Sequence, residues 1–217
     1  ASTLVLTLLN HHDLYPTKLT FLLYLSGKML TFPQETNTAH VTRMTSREIS
    51  HTETKLKFFT SLRRNHILFS LATLIDDAFV IFKRTAAGEM NNDYTLNTWH
   101  SIYATWASET DLGQLWLDGK PSTRKFLQSE AIKGKNIILG QEQVKFGWLF
   151  AWQQSFIGLL TDVHMWDNML SPCEIQRYTN QTNFTPGNVL HWGALDFQTT
   201  DRVLLENKQS DCNRSNM

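Results

Sequence analysis

Two cysteines in 217 residues, Cys173 and Cys212, are too few for a disulfide scaffold and lack the paired spacing of a zinc site. They could pair with each other or stay free. A surplus of either charge is missing too: 20 Lys and Arg balance 20 Asp and Glu, so no global field draws the chain to nucleic acid or to an acidic membrane surface. No apolar run reaches the roughly 18 to 20 residues that a membrane span needs. The His-Glu-x-x-His metal motif, the Gly-x-Ser-x-Gly elbow and the Walker loop are absent. Glycoside hydrolysis needs two facing carboxylates. Along residues 161–166 the period of two puts Asp162 and His164 on one face, and no second acid joins them. The chain reads as a non-enzyme.

What is present points to strands. Aromatic content is high and includes seven Trp, residues that suit sheets and recognition surfaces alike. Short β-branched and aromatic runs alternate with Gly, Pro, Asn and Asp turns: Leu30–Pro33, Ile67–Ala72, Phe79–Phe82, Ile102–Trp106, Gln114–Asp118, Asn136–Gly140, Phe156–Trp166 and Val189–Trp192. This is the all-β pattern of one sandwich domain. Asp118-Gly119-Lys120-Pro121 is the clearest tight turn, because Gly accepts positive φ and Asp bonds to the backbone that follows. One short helix starts at Ser171-Pro172-Cys173-Glu174, with Ser171 as cap and Glu174 closing a capping box, and ends near Tyr178. Residues 1–24 are set aside as a leader or signal-like segment, the domain is placed at residues 25–206, and the polar run 207–217 is expected to fray. Asn180, Asn183 and Asn213 are glycosylation sequons if the chain is secreted.

An ordered set of motifs carries a resemblance. Leu139-Gly140-Gln141-Glu142-Gln143 is followed by Gln154-Ser155-Phe156-Ile157-Gly158, by Met165-Trp166-Asp167 and by Leu170-Ser171-Pro172. Ser26-Gly27-Lys28, Phe69-Ser70, Trp106, Trp116 with Asp118-Gly119-Lys120-Pro121, and Trp192-Gly193-Ala194-Leu195 fall in the same order. From Leu25 to Leu205 the chain resembles the pentraxin family. The resemblance implies a jelly-roll sandwich of two antiparallel sheets with one short helix. It also implies a secreted homo-oligomer, usually a pentamer, whose calcium-dependent face takes phosphocholine, phosphoethanolamine or glycan ligands.

Residue-by-residue transfer implies a calcium site of Asp76, Asp77, Glu142, the Gln143 carbonyl and Gln154, with Phe82 as an apolar wall for choline. Calcium takes about six to eight oxygen ligands and draws most of its affinity from carboxylates. Val144 and Ala151 stand where the family has two of those acids, so the site is expected to be weakened. A calcium-independent interaction protein, or a degenerate pentraxin without ligand binding, is the alternative. Trp148 and Trp152, where the family has small or polar residues, could form a sugar- or lipid-facing platform if exposed. Two further departures concern the fold. Lys55 and Tyr103 occupy the positions of the family's intrachain disulfide, and Lys55 at an inward strand position would have to snorkel or neutralise. The interval from Phe82 to Trp106 is shorter than the family's by more than one typical strand, which would leave a pairing edge exposed.

Overall fold

The computed structural model describes residues 25–45, 48–72, 77–84, 94–127, 132, 136–141, 152–179, 184–194 and 197–208. In chain order the strands are β1 (Lys28–Phe32), β2 (His40–Met44), β3 (His51–Phe59), β4 (His66–Ala72), β5 (Asp77–Lys83), β6 (Trp99–Ala107), β7 (Leu112–Leu117), β8 (Lys120–Pro121), β9 (Lys125–Phe126), β10 (Asn136–Leu139), β11 (Gly158–Trp166), β12 (Leu190–His191), β13 (Gln198–Thr200) and β14 (Leu204–Asn207). Among the described residues one α-helix is present, α1 (Pro172–Thr179), following β11. One antiparallel sheet runs β14-β1-β11-β3-β6-β7-β8, with β12 and β9 paired at its margins. The second runs β13-β2-β10-β4-β5.

Alternation along β3 and β6 decides the layering. Leu56 and Phe58 of β3, with Ile102, Ala104 and Trp106 of β6, point into the core between the sheets. Glu53, Lys55 and Tyr103 take the opposite face. There α1 closes a second cluster of Tyr103, Trp166, Leu170, Ile175 and Tyr178. Lys55 therefore does not point into the sheet-to-sheet core, as the sequence suggested. It lies 4% exposed beneath α1, its Nζ donates to the Tyr178 carbonyl at 2.6 Å, and it sits 4.2 Å from the Tyr178 ring centre. Lys55 pairs directly with Tyr103 across β3 and β6, so the two residues standing in for the bridge are cross-strand neighbours.

Local chemistry shapes the elements as expected in several places. The Ser171 Nα–H donates to Glu174 Oε2 at 2.9 Å and Ser171 Oγ accepts from the Glu174 N–H at 3.2 Å, a closed capping box. Asp118 and Gly119 have φ of 49° and 80°, the hairpin turn joining β7 to β8. Asp162 sits at an irregularity of β11 with φ 53°, where it pairs with Lys57 at 3.9 Å and Lys208 at 2.6 Å. The tail does not fray at residue 207: Asn207 pairs with Lys28 in the ladder, and the Lys208 N–H donates to the Gly27 carbonyl at 2.8 Å. Cys173 is an exposed cysteine on α1. Cys212 lies outside the described residues, as do Asn180, Asn183 and Asn213.

Candidate functional site

The segment 142–151, which carries Glu142 and Gln143, lies outside the described residues, but the structure fixes both of its feet. At the first foot, β10 ends in Gly140 with φ 84°, and a Cβ there would collide with the Phe32 ring, so glycine alone permits the turn. The second foot is the short 3-10 turn Trp152–Gln154. Phe156 donates its N–H to the Gly140 carbonyl at 2.9 Å, which ties the feet together. Arg64 holds the second foot through Nη1 bonds to the Gln153 and Ser155 carbonyls, both at 2.8 Å, and it pairs with Glu35 at 2.9 Å.

Buried acceptors without partners collect at these feet. Gln141 donates Nε2 to the Thr36 carbonyl at 2.6 Å, and its Oε1 is buried with no hydrogen-bond partner. Gln154 Oε1 is in the same condition. His66, at the near end of β4, donates Nδ1–H to the Arg64 carbonyl at 2.9 Å, which leaves its buried Nε2 an acceptor without a partner. Burial, seconded by the charges of Arg64 and Lys83, takes the His66 pKa down to about 4, so the ring is neutral at physiological pH. Buried unpaired acceptors carry a desolvation cost and call for a donor or a cation. Carboxamide oxygens are among the hard donors calcium accepts. On this observation the feet fit a calcium ion, although among the described residues no three His, Cys, Asp or Glu side chains gather to hold a metal. Of these three residues the sequence analysis named only Gln154; no local pattern signals the burial of Gln141 and His66.

Register separates the other predicted residues. Phe82 pairs with Ile67, at the end of the β4–β5 hairpin nearest the feet, and is 38% exposed. Asp77 opens β5 opposite Ala72, whereas the Gly140 N–H meets the Leu68 carbonyl. Four residue steps along β4, roughly 13 Å, separate those points. Asp76, Glu142, Gln143, Val144, Trp148 and Ala151 are outside the described residues, while Trp152 stands 52% exposed on its turn.

The profile of the Pentaxin family matches residues 28–207. The chain belongs to the pentraxin family. The guinea-pig (Cavia porcellus) serum amyloid P-component is 32% identical over 84% of this chain and 88% of its own. The Rattus norvegicus C-reactive protein is 48% identical over a shorter stretch, 48% of this chain and 46% of its own. Among solved structures, the heptameric SAP-like pentraxin of Limulus polyphemus superposes with a TM-score of 0.69 over 85% of this chain and 97% of that one, at 19% identity. That likeness bears on the fold, which is the jelly-roll sandwich expected from sequence. Pentraxins are recognition proteins rather than enzymes, and the class extends to this chain.

Proposed function

We propose that this pentraxin is a secreted, calcium-dependent recognition protein for phosphocholine-type or carbohydrate ligands, with a weakened calcium site. The observation that carries the reading is the buried, partnerless carboxamide oxygen of Gln154 at the foot of the segment bearing Glu142. Glu142, the Gln143 carbonyl and Gln154 would hold the ion, joined by Asp76 and Asp77, and the bound ion would supply positive charge for a ligand phosphate or hydroxyl. Val144 and Ala151 contribute no oxygen where the family has carboxylates, which lowers the affinity without removing the donor set. Exposed Phe82, on the same end of the sheet, offers an apolar wall to a choline group. By the family's habit the assembly is a homo-oligomeric ring, a pentamer in most members.

Thermal melting tests the calcium step. At calcium tenfold above its dissociation constant, binding adds about 1.4 kcal/mol, roughly 3 to 6 °C in melting temperature for a chain of this size. EDTA reverses the shift, Glu142→Gln removes it, and Val144→Asp with Ala151→Glu enlarges it. The double substitution Asp76→Asn with Asp77→Asn abolishes the shift if both acids join the site. An unmoved melting curve at millimolar calcium, with retention on immobilised phosphocholine unaffected by EDTA, would instead support a calcium-independent interaction protein.

A further inference from the structure

The two sheets end unevenly. The five-stranded sheet stops at β5, while the other continues past β6 to β7 and β8, so among the described residues no strand faces the inner side of β7. A cleft of about 430 Å³ fills that place, within the range of small-ligand pockets. Its inner wall is apolar, with Phe58, Phe79, Ile102 and Leu117, and its mouth is rimmed by half-exposed Phe82, Leu115 and Leu127. Well-packed sandwiches leave few voids larger than water, and an apolar void of this size forfeits dispersion contacts along its whole lining.

The charged groups of the cleft have one sign among the described residues. Lys83 and Lys125 line it, and no carboxylate does among the described residues. Lys83 Nζ lies 4.8 Å from the Tyr94 ring centre and donates only to the Arg84 carbonyl, at 3.1 Å, among described residues. Lys125 is exposed at the rim. Tyr94 lines the same cleft, and its hydroxyl is buried without a hydrogen-bond partner. Burial pushes the Tyr94 pKa up to about 12, and the same burial keeps the hydroxyl out of contact with the cleft. An apolar trough with an ammonium group toward either end, and no carboxylate among the described lining residues, complements a molecule with a long hydrocarbon chain and an anionic end.

We infer that the cleft between β5 and β7 is a binding site for a long-chain amphipathic anion of the fatty-acid class. The chain occupies the space between the sheets, and the carboxylate meets Lys83 at the Tyr94 end, while Lys125, paired with Gly113, lies at the other end of the cleft. The site needs no metal, so it is independent of the calcium reading above.

The test uses the delipidated full-length chain in EDTA, titrated calorimetrically with laurate, 1-dodecanol and dodecylphosphocholine. Laurate is expected to bind once per chain and about tenfold tighter than 1-dodecanol, the difference that a charge-assisted hydrogen bond supplies. The variant Lys83→Met loses that difference while keeping its dodecanol affinity. Ala104→Phe, which fills the trough from β6, abolishes binding of both; Leu115→Trp at the mouth serves the same purpose if circular dichroism shows the first variant unfolded. Dodecylphosphocholine, whose phosphate is offset by a cationic end, binds no better than the alcohol. Four results would each overturn the proposal: no saturable laurate binding, equal affinity for laurate and dodecanol, laurate binding only with calcium, or a laurate-insensitive dimer formed through β5.

Discussion

Lys55 holds its ammonium beneath α1, and burial, reinforced by the Lys57 charge and opposed by Asp162, draws its pKa from 10.5 down to about 7. Between these values the unfolded chain binds a proton that the folded chain does not, so stability rises with pH from about 7 toward 10.5. As pH falls through 7 that contribution is lost. The slope is at most about 1.4 kcal/mol per pH unit, and Lys57, also lowered by burial, adds to it with the same sign. Lys55→Met should flatten the rise in denaturation free energy measured between roughly pH 7.5 and 9.5, below the ordinary range of tyrosine ionisation. An unchanged slope would show that Lys55 is not the group titrating. On the acid side, burial lowers His66 to about 4 and His164 to about 3. Their contributions are complete above the unfolded histidine value near 6.5 and disappear as pH falls through the folded values, so the fold weakens below about pH 6.

The capping box at α1 sets a prediction at the level of the element. Ser171→Ala removes the hydroxyl that accepts the Glu174 N–H and should cost about 1 kcal/mol, roughly 2 to 4 °C in melting temperature. The Tyr103–Trp166 cluster beneath the helix loosens with it. This box, like the Asp118-Gly119 hairpin, was legible because its chemistry is local: the groups that fix it lie within four residues of one another. β3 was not legible as a strand from its own pattern. His51–Lys57 reads as a solvated polar run, yet Thr52 and Thr54 are buried against β6 and Lys55 is covered by α1, partners that lie about 50 to 120 residues away in the chain. The short strands β2, β13 and β14 escaped for a related reason, since each is defined by its ladder partner rather than by apolar content. For the candidate site, motif order named Gln154, Phe82 and Asp77 together, and the pairing register puts Asp77 at the other end of β5 from Phe82, a separation that no one-dimensional pattern encodes.

For the whole molecule, the missing bridge marks a position where one covalent bond would tie the centre of the larger sheet. Lys55 and Tyr103 face each other across β3 and β6, and Lys55→Cys with Tyr103→Cys would close a loop of 47 intervening residues (103 − 55 − 1). Chain-entropy arguments put the gain at about 4 kcal/mol, less what is lost when Glu53 gives up its bond from the Tyr103 hydroxyl. The oxidised variant should melt higher than its dithiothreitol-reduced form, and coincident curves would mean that the strands cannot accommodate the bond. At its opposite margin the same sheet has its first and last strands side by side, with Lys28 paired to Asn207 in an antiparallel ladder. A pulling force applied at those two residues acts across the ladder, so it breaks the backbone bonds of β14 one after another instead of all at once. Seen mechanically, the domain opens like a zipper from its own ends: low tension there peels β14 from β1 before the β3–β6 centre bears any load.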